Sequence, residues 1–156
     1  MNLAELLTAD QIVPDLKSTE HLAAIKELVD HLEDNHLLDG TSKSEVLELL
    51  YQREQQTSTG IGSGVAIPHT FVEGLDEVVA VFGRSKTGIE FCALDNAPVF
   101  FVVLFIVPQA KYHTHLRTLA AIAKMFNSTE IRTQLGEAQS PEEILQILAK
   151  KSEGRC

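Results

Sequence analysis

The run Pro98-Val99-Phe100-Phe101-Val102-Val103-Leu104-Phe105-Ile106-Val107-Pro108 decides the fold. Its apolar part is too short to cross a membrane, since a membrane-spanning helix needs about 20 consecutive apolar residues. β-Branched and aromatic residues dominate the run, and such continuous apolar character is typical of a strand that is buried on both faces. We therefore predict a central strand over residues 98–107.

Helix and strand patterns alternate on both sides of this run. The predicted strands are residues 12–16, 65–67, 77–84, 89–91 and 98–107. The predicted helices are residues 3–7, 18–35, 42–53, 111–126, 129–135 and a last helix that begins at Ser140-Pro141. This alternation, without internal repeats or a linker, predicts one α/β domain over residues 1–156, with helices on both faces of a mixed sheet. Residues 151–156 are expected to form a frayed tail.

Composition restricts the class of partner. The chain has 13 Lys and Arg against 22 Asp and Glu, a net charge of −9. Surfaces that bind nucleic acid or anionic membranes are usually basic, so neither is expected as a partner. The first seven residues lack the basic region of a signal peptide. Cys92 and Cys156 form no disulfide framework, and we predict a cytoplasmic protein without direct membrane insertion.

A glycine-rich stretch, residues 59–70, stands before the later strands. Its three alternating glycines permit positive φ, so residues 59–64 are predicted to form a tight irregular loop. Residues 65–67 are β-prone, and Pro68 ends that piece because its ring fixes φ. His69 is therefore predicted to lie at the edge of a strand, where a rigid scaffold presents its imidazole.

Metal binding and nucleotide binding are both disfavoured. His113 and His115 are a possible ligand pair with His69, but residues two apart on a helix point about 200° from each other. The pattern Gly60-x-Gly62-x-Gly64 is followed by a strand and a proline rather than by the helix that a phosphate-binding loop needs. No metal and no cofactor are expected. The other histidines are predicted to be solvated, without a chemical role: His21, His31 and His36.

Covalent phosphoryl carriage on His69 suits the pattern better. Neutral imidazole is a good nucleophile at physiological pH. A transferring phosphoryl group needs positive charge and N–H donors, which Arg53, the amides of residues 60–64 and His115 at the start of a helix can supply. The alternative is that His69 is a capping or core-edge residue and that Arg53 only complements a helix dipole. The spacing alone leaves both open.

Several residues resemble a known family. Glu54, Ile61-Gly62 and Val65-Ala66-Ile67-Pro68-His69 are similar to the signature of the IIA components of the bacterial phosphoenolpyruvate:sugar phosphotransferase system, in the mannitol, fructose and nitrogen-regulatory class. The resemblance covers nearly the whole chain. It implies a mixed sheet of about five strands flanked by helices. It also implies a histidine that takes a phosphoryl group from phosphorylated HPr or its nitrogen-branch counterpart.

The resemblance assigns roles to individual residues. His69 matches the phosphorylated histidine, with Nε2 as the accepting nitrogen, and His115 matches the second active-site histidine. Arg53 matches the arginine that lines the pocket. The residues expected to meet the phosphate are Thr59, Gly60 and Gly62. Thr70 departs from the pattern, because the family usually has Gly, Ala or Cys after the histidine, and its branched side chain raises the question of pocket openness.

The resemblance leaves the destination of the phosphoryl group open. A sugar-transport IIA protein passes it to a cysteine of a IIB protein, and neither cysteine of this chain lies in a IIB-like motif. A nitrogen-regulatory IIA protein instead binds a kinase or transporter according to its own phosphorylation state. Both the IIB protein and a regulatory target are therefore expected partners.

Overall fold

The structure is a computed structural model that describes residues 3–38, 41–56, 58–93 and 95–153. Its strands are β1 (Ile12–Val13), β2 (Gly60–Gly62), β3 (Val65–Ala66), β4 (His69–Val72), β5 (Val79–Ile89) and β6 (Val99–Pro108). Its α-helices are α1 (His21–Asp34), α2 (Lys43–Gln56), α3 (Tyr112–Met125), α4 (Thr129–Glu137) and α5 (Pro141–Glu153). Short 3-10 helices occupy Leu3–Leu6, Ala9–Gln11 and Gln109–Lys111. Cys156 lies outside the described residues, whereas α5 continues into the start of the predicted tail.

β6 lies at the centre of the sheet, as the apolar run predicts. The strand order is β1-β5-β6-β3-β2, and β4 also pairs with β6. β5 is antiparallel to β6, whereas β3 and β4 run parallel to it, one after the other along its opposite edge. The α/β class and the mixed sheet are confirmed. The described sheet has six strands, because the glycine-rich stretch and the segment after Pro68 each add one, while the pieces predicted at 77–84 and 89–91 join in β5.

Helices cover both faces of the sheet, as predicted. Successive residues of β6 point to opposite faces. Leu104 and Ile106 pack in one core with α1 and α2. Val103 and Phe105 pack in a second core with α3, α4, α5 and the first 3-10 helix. Within the described ranges, no helix combines the length and the apolar composition that are needed to cross a bilayer.

β5 is longer than predicted. The polar residues 85–88 continue the strand instead of forming a loop, and the pairing with β6 becomes irregular between Arg84 and Ile89. Gly88 has a φ of +97°, and an added Cβ atom would lie 3.0 Å from the Pro98 Cβ atom. Such an irregularity re-aims side chains at the end of a strand pair. Polar composition alone therefore gave the wrong assignment for this segment.

The first long helix begins later than predicted. Glu20 is its N-cap, and the Glu20 carboxylate accepts hydrogen bonds from the amides of Leu22 (2.7 Å) and Ala23 (3.4 Å). Ser18, the predicted start, instead donates its hydroxyl to Glu27 Oε1 at 2.7 Å. A carboxylate can cap a helix as a serine hydroxyl does, because it accepts from the free first-turn amides. The start is thereby set at His21.

Candidate functional site

The glycine-rich stretch forms a β-hairpin, so the predicted irregular loop is wrong. β2 and β3 pair antiparallel, with Gly62 opposite Val65 and a register shift between Gly60 and Gly62. Ser63 and Gly64 form the two-residue turn, with φ values of 58° and 80°. Positive φ at both central residues is the requirement of a type I′ hairpin turn. The stretch is therefore held in place by strand pairing.

Contacts at both ends anchor the hairpin. A Cβ atom on Gly60 would lie 2.7 Å from the Ala93 Cβ atom, so the close approach of the two backbones requires glycine. The Gly60 amide donates to Ser58 Oγ at 3.0 Å. The Ser63 amide donates to Asp95 Oδ2 at 3.0 Å, and this bond lowers the pKa of the Asp95 carboxyl. The hairpin has a defined shape before any ligand is bound.

His69 is the first residue of β4 and lies opposite Phe105 of β6. Its Nδ1 atom is 2.8 Å from the carbonyl oxygen of Ile67. Because a carbonyl can only accept a hydrogen bond, Nδ1 carries the proton, and the lone pair of the neutral ring lies on Nε2. The imidazole is half-buried and meets the Phe71 ring edge-on, with the centroids 6.1 Å apart.

The electrostatic surroundings keep His69 neutral. Burial is the main cause that lowers the pKa of the imidazole, and the positive charge of Arg53 lowers it further. The Ile67 carbonyl and the Glu54 carboxylate act in the opposite direction, and the net pKa lies below the ordinary value of 6.5. The ring is therefore uncharged at neutral pH and able to act as a nucleophile. Arg53, in the last turn of α2, lies within electrostatic range of His69.

A buried carboxylate supports the hairpin from behind. Glu54 is only 3% exposed, and its Oε1 atom accepts the Thr59 hydroxyl at 2.6 Å. The Thr59 amide is 3.3 Å from the same carboxylate. His21 Nδ1 lies 3.2 Å from Glu54 Oε2, and the His21 ring meets Phe91 edge-on. The prediction that His21 is a solvated residue is therefore wrong. Glu54 belongs to the signature that resembles the family, but no local pattern in the sequence indicates these contacts.

Thr70 does not crowd the imidazole. Residues along β4 alternate between the two faces of the sheet. His69 and Phe71 are partly exposed, and Phe71 packs toward the core beneath α3. Thr70 and Val72 are buried on the other face, where β4 contacts α2. The branched side chain that departs from the family pattern is therefore directed away from the face that carries the imidazole.

His115 is buried in the first turn of α3. Burial is the main cause that lowers its pKa, followed by the positive charge of Lys111, while Glu77 acts in the opposite direction. It lines a cavity of about 520 Å³ together with Glu5, Lys111 and Glu77. Among the contacts of the described residues, no hydrogen bond or ring contact joins His115 to His69. Arg53 and Glu54 thus act electrostatically on the His69 imidazole, whereas the pKa of His69 shows no effect of His115.

His113 lies apart from His115. Its side chain is exposed and meets the ring of Tyr112, with the centroids 5.2 Å apart. In residues 3–38, 41–56, 58–93 and 95–153, no group of three or more His, Cys, Asp or Glu side chains is arranged to hold a metal ion. The candidate site is therefore a histidine site with an adjacent arginine.

Apolar side chains are exposed on the elements of the site. The large exposed ones among the described residues are Ile61 in β2 and Tyr112 and Leu116 in α3. Phe71 connects Tyr112 to His69, because its ring contacts both the imidazole and Tyr112, at a centroid distance of 4.6 Å from the latter. We call Ile61, Phe71, Tyr112 and Leu116 the apolar rim. Exposed apolar patches with polar surroundings commonly mark protein interaction sites.

Comparison with known proteins gives consistent matches. The family model for the phosphoenolpyruvate-dependent sugar phosphotransferase system, EIIA 2, matches residues 5–151. A nitrogen regulatory protein of Bradyrhizobium diazoefficiens is 32% identical over 149 residues, 96% of this chain and 95% of that protein. The fructose-specific EIIABC component of Bacillus subtilis is 34% identical over 95% of this chain, which spans only 23% of that relative. The crystal structure of nitrogen regulatory protein IIA-Ntr from Neisseria meningitidis is similar at a TM-score of 0.85 and 32% identity, over 94% of this chain and 98% of that one.

Proposed function

This chain belongs to the EIIA 2 family of the phosphoenolpyruvate-dependent sugar phosphotransferase system, and on that premise we propose that it is a cytoplasmic phosphocarrier whose His69 accepts a phosphoryl group on Nε2. One observation supports this role above all. The Ile67 carbonyl holds the proton on Nδ1 and so leaves Nε2 as the nucleophilic atom. The donor we propose is phosphorylated HPr or its nitrogen-branch counterpart.

The transfer balances without a cofactor. The bond between phosphorus and the donor atom breaks while the bond between phosphorus and Nε2 forms, and the electron pair of the broken bond returns to the donor. The proton stays on Nδ1. Since the ring gains positive character as Nε2 is phosphorylated, the hydrogen bond to the Ile67 oxygen becomes stronger in the product. The reverse of the same step delivers the group to an acceptor.

Arg53 is proposed to stabilise the phosphoryl oxygens, as a guanidinium does by charge-assisted hydrogen bonds. Thr59, Gly60 and Gly62 are proposed to meet the phosphate from the hairpin side. The donors of Thr59 and Gly60 are bonded to Glu54 and Ser58 in the unphosphorylated protein, so their contact with phosphate requires an exchange of partners.

His115 is proposed as a further donor. Phe71 of β4 contacts both His69 and Tyr112, and Tyr112 and His115 belong to the same first turn of α3. The buried, neutral imidazole of His115 can donate one hydrogen bond. In the complex with a partner we expect it to act on the transferring group or on the partner, and this assignment depends on the family resemblance.

Two roles for the phosphorylated protein follow from the relatives. As a sugar-branch protein the chain would phosphorylate a cysteine of a IIB protein. As a nitrogen-branch protein it would bind a kinase or transporter according to its phosphorylation state, since a phosphoryl group adds up to about two negative charges to the rim. The match along 95% of a nitrogen regulatory relative supports the second, regulatory role. The apolar rim is the proposed docking surface in both cases.

The test is phosphoryl transfer in a defined mixture. The chain is incubated with phosphoenolpyruvate, the general phosphotransferase proteins and HPr or its nitrogen-branch counterpart. We expect acid-labile label on the wild type and none on His69→Ala. Two-dimensional NMR of the labelled protein should place the phosphorus on Nε2. Unlabelled wild type with both carriers would refute the function, and label on His69→Ala would refute the site.

A further inference from the structure

A second cavity, of about 430 Å³, lies away from the histidine site. It is lined by the end of β5, the start of β6, the turn of the hairpin and α4. Arg84 of its lining pairs with Phe101 of β6, whereas His69 pairs with Phe105, so the two sites are about 13 Å apart along the strand. None of the site residues predicted from the sequence lines it.

The cavity is cationic in a chain whose net charge is −9. Arg84, Lys86 and Arg132 line it, and no Asp or Glu does. Among the described residues, none of these three forms an ion pair. The Asp15 carboxylate lies within electrostatic range of Lys86 and Arg84, but it is already paired with Lys17 at a distance of 3.0 Å. Three positively charged side chains therefore line the cavity, and none of them is in an ion pair with a described residue.

Arg84 is buried, with only 4% of its surface exposed. Its Nε atom donates to the Pro14 carbonyl at 2.9 Å, and its Nη1 atom donates to the carbonyls of Leu135 and Ala138. All of these acceptors are neutral, and Nη2 makes no hydrogen bond with a described residue. A buried charge is costly unless it is paired. An anion in the cavity would add a counter-charge, which these neutral carbonyl partners do not supply.

Hydroxyl groups complete the lining. Ser85 is 3% exposed, and its oxygen accepts from the Gly88 amide at 2.9 Å, but its own proton has no acceptor among the described residues. Thr129 Oγ1 accepts from Arg132 Nη2 at 3.2 Å, which leaves its proton free as well. Thr129 is also the first residue of α4, where the helix dipole favours negative charge. Ser85 is buried and Thr129 is exposed, and both line the same cavity as the cations.

We infer that this cavity binds a small phosphomonoester, such as a sugar phosphate. The cations and hydroxyl protons suit a phosphate dianion, and the rings of Phe100 and Phe101 in the lining suit the apolar face of an attached sugar. The volume lies within the roughly 300–1,000 Å³ range that is usual for small-ligand sites. The inference is independent of His69 and of the proposed phosphoryl transfer.

The test is a titration of the ¹⁵N-labelled chain followed by NMR at constant ionic strength. The probes are inorganic phosphate, glucose 6-phosphate and, as a neutral control, glucose. We expect saturable shifts at the amides of Ser85, Lys86 and Thr129 with both phosphates, tighter binding of glucose 6-phosphate, and no response to glucose.

Matched variants distinguish specific binding in this cavity from a nonspecific effect of the protein's positive charges. Lys86→Gln should weaken binding of glucose 6-phosphate by about tenfold, since a charge-assisted hydrogen bond is lost. Ser85→Ala should also weaken it, although the charge is unchanged. Lys26→Gln removes the same charge from α1 and should have no effect. Phe100→Ala should bring glucose 6-phosphate to the affinity of inorganic phosphate.

Three results would overturn the inference. One is a linear response without saturation, and another is an equal effect of Lys86→Gln and Lys26→Gln. The third is a set of shifts confined to Thr59, Gly60 and His69, none of which lines the cavity; this would mean that the histidine site takes the phosphate. None of these results alters the labelling of His69, so failure here is distinct from failure of the proposed phosphocarrier function.

Discussion

The Nδ1 atom of His21 lies 3.2 Å from the Oε2 atom of Glu54. This contact joins the first residue of α1 to the last turn of α2, directly behind the hairpin. The same carboxylate holds both the hydroxyl and the amide of Thr59. Glu54 also acts electrostatically on His69. One buried side chain therefore supports the hairpin and influences the imidazole.

We predict that Glu54→Gln destabilises the protein and slows phosphoryl transfer to His69. The amide offers one acceptor oxygen where the carboxylate offers two, so donors from Thr59 or His21 are left without a partner. A buried unsatisfied donor costs about 1–3 kcal/mol of unfolding free energy, measurable by urea denaturation. Glu48→Gln, on the exposed side of the same helix, is the control. Equal effects of the two changes would contradict the support role.

We predict that His69 titrates below pH 6.5, the ordinary value for a histidine. The labelling rate should fall only when the pH drops through this lowered pKa, because the protonated ring has no lone pair on Nε2. Arg53→Gln should raise the pKa of His69, since it removes a positive charge that opposes protonation. NMR titration of the ring protons measures both. A midpoint above 6.5, or no change in Arg53→Gln, would refute the electrostatic account.

We predict that the protein loses stability as the pH falls below about 6.5. The pKa values of His69 and His115 are both lowered in the folded state, chiefly by burial. Between the folded pKa and the higher unfolded pKa, the unfolded chain binds more protons, so unfolding free energy rises with pH in this window and is level above it for these groups. His115→Gln should flatten the slope, as measured by urea denaturation at a series of pH values. An unchanged slope would mean that His115 is protonated as readily in the folded protein as in the unfolded chain.

We predict that Gly60→Ala destabilises the protein and displaces the hairpin. The new methyl group would lie 2.7 Å from the Ala93 Cβ atom, and two backbone-fixed atoms cannot easily separate. Overpacking of this kind costs about 1–3 kcal/mol. Gly136→Ala is the contrasting control, because a Cβ atom there meets nothing within 4 Å inside a helix. The midpoint temperature of thermal unfolding should be lower for Gly60→Ala than for the wild type, and for Gly136→Ala it should equal or exceed the wild-type value.

We predict that Leu116→Gln weakens partner docking without changing the fold. Leu116 is exposed on α3 within the apolar rim, so its removal from the rim costs little stability. The KM for the phosphorylated donor should rise severalfold, while the pKa of His69 stays unchanged. Ala120→Gln, exposed further along the same helix, should leave KM as it is. A normal KM in Leu116→Gln would remove the rim from the docking surface.

Local signals in the sequence predicted much of the fold. The central strand follows from its composition alone. Ser140 caps α5 by accepting from the Glu143 amide at 3.1 Å, and Ser42 caps α2 by accepting from the Glu45 amide at 3.3 Å, at the two helix starts that the sequence predicts. Each of these features depends on residues within a few positions of one another, where pattern and physical cause coincide.

Contacts between distant segments were not predictable in the same way. His21 and Glu54 are 33 positions apart, and no local pattern links a histidine at a helix start to a carboxylate at another helix end. The hairpin turn does not follow from the glycine spacing, because Ser63, which is not a glycine, adopts positive φ in it. The polar residues 85–88 belong to β5 although their own composition indicates a loop, because the strand pairs with β6 on both sides of them, at Arg84 and at Ile89. This is a tertiary effect that overrides composition.

β3 and β4 lie one after the other on the same edge of β6, so the imidazole is fixed to the central strand on both sides of Pro68 and has no hinge. Because the imidazole is fixed in this way, it cannot move a phosphoryl group between two proteins that are bound at the same time. Under the proposed function, donor and acceptor must approach the same face in turn and exclude each other. Turnover is then a double displacement, in which an excess of the unphosphorylated donor blocks the acceptor and the exchange of partners limits the flux.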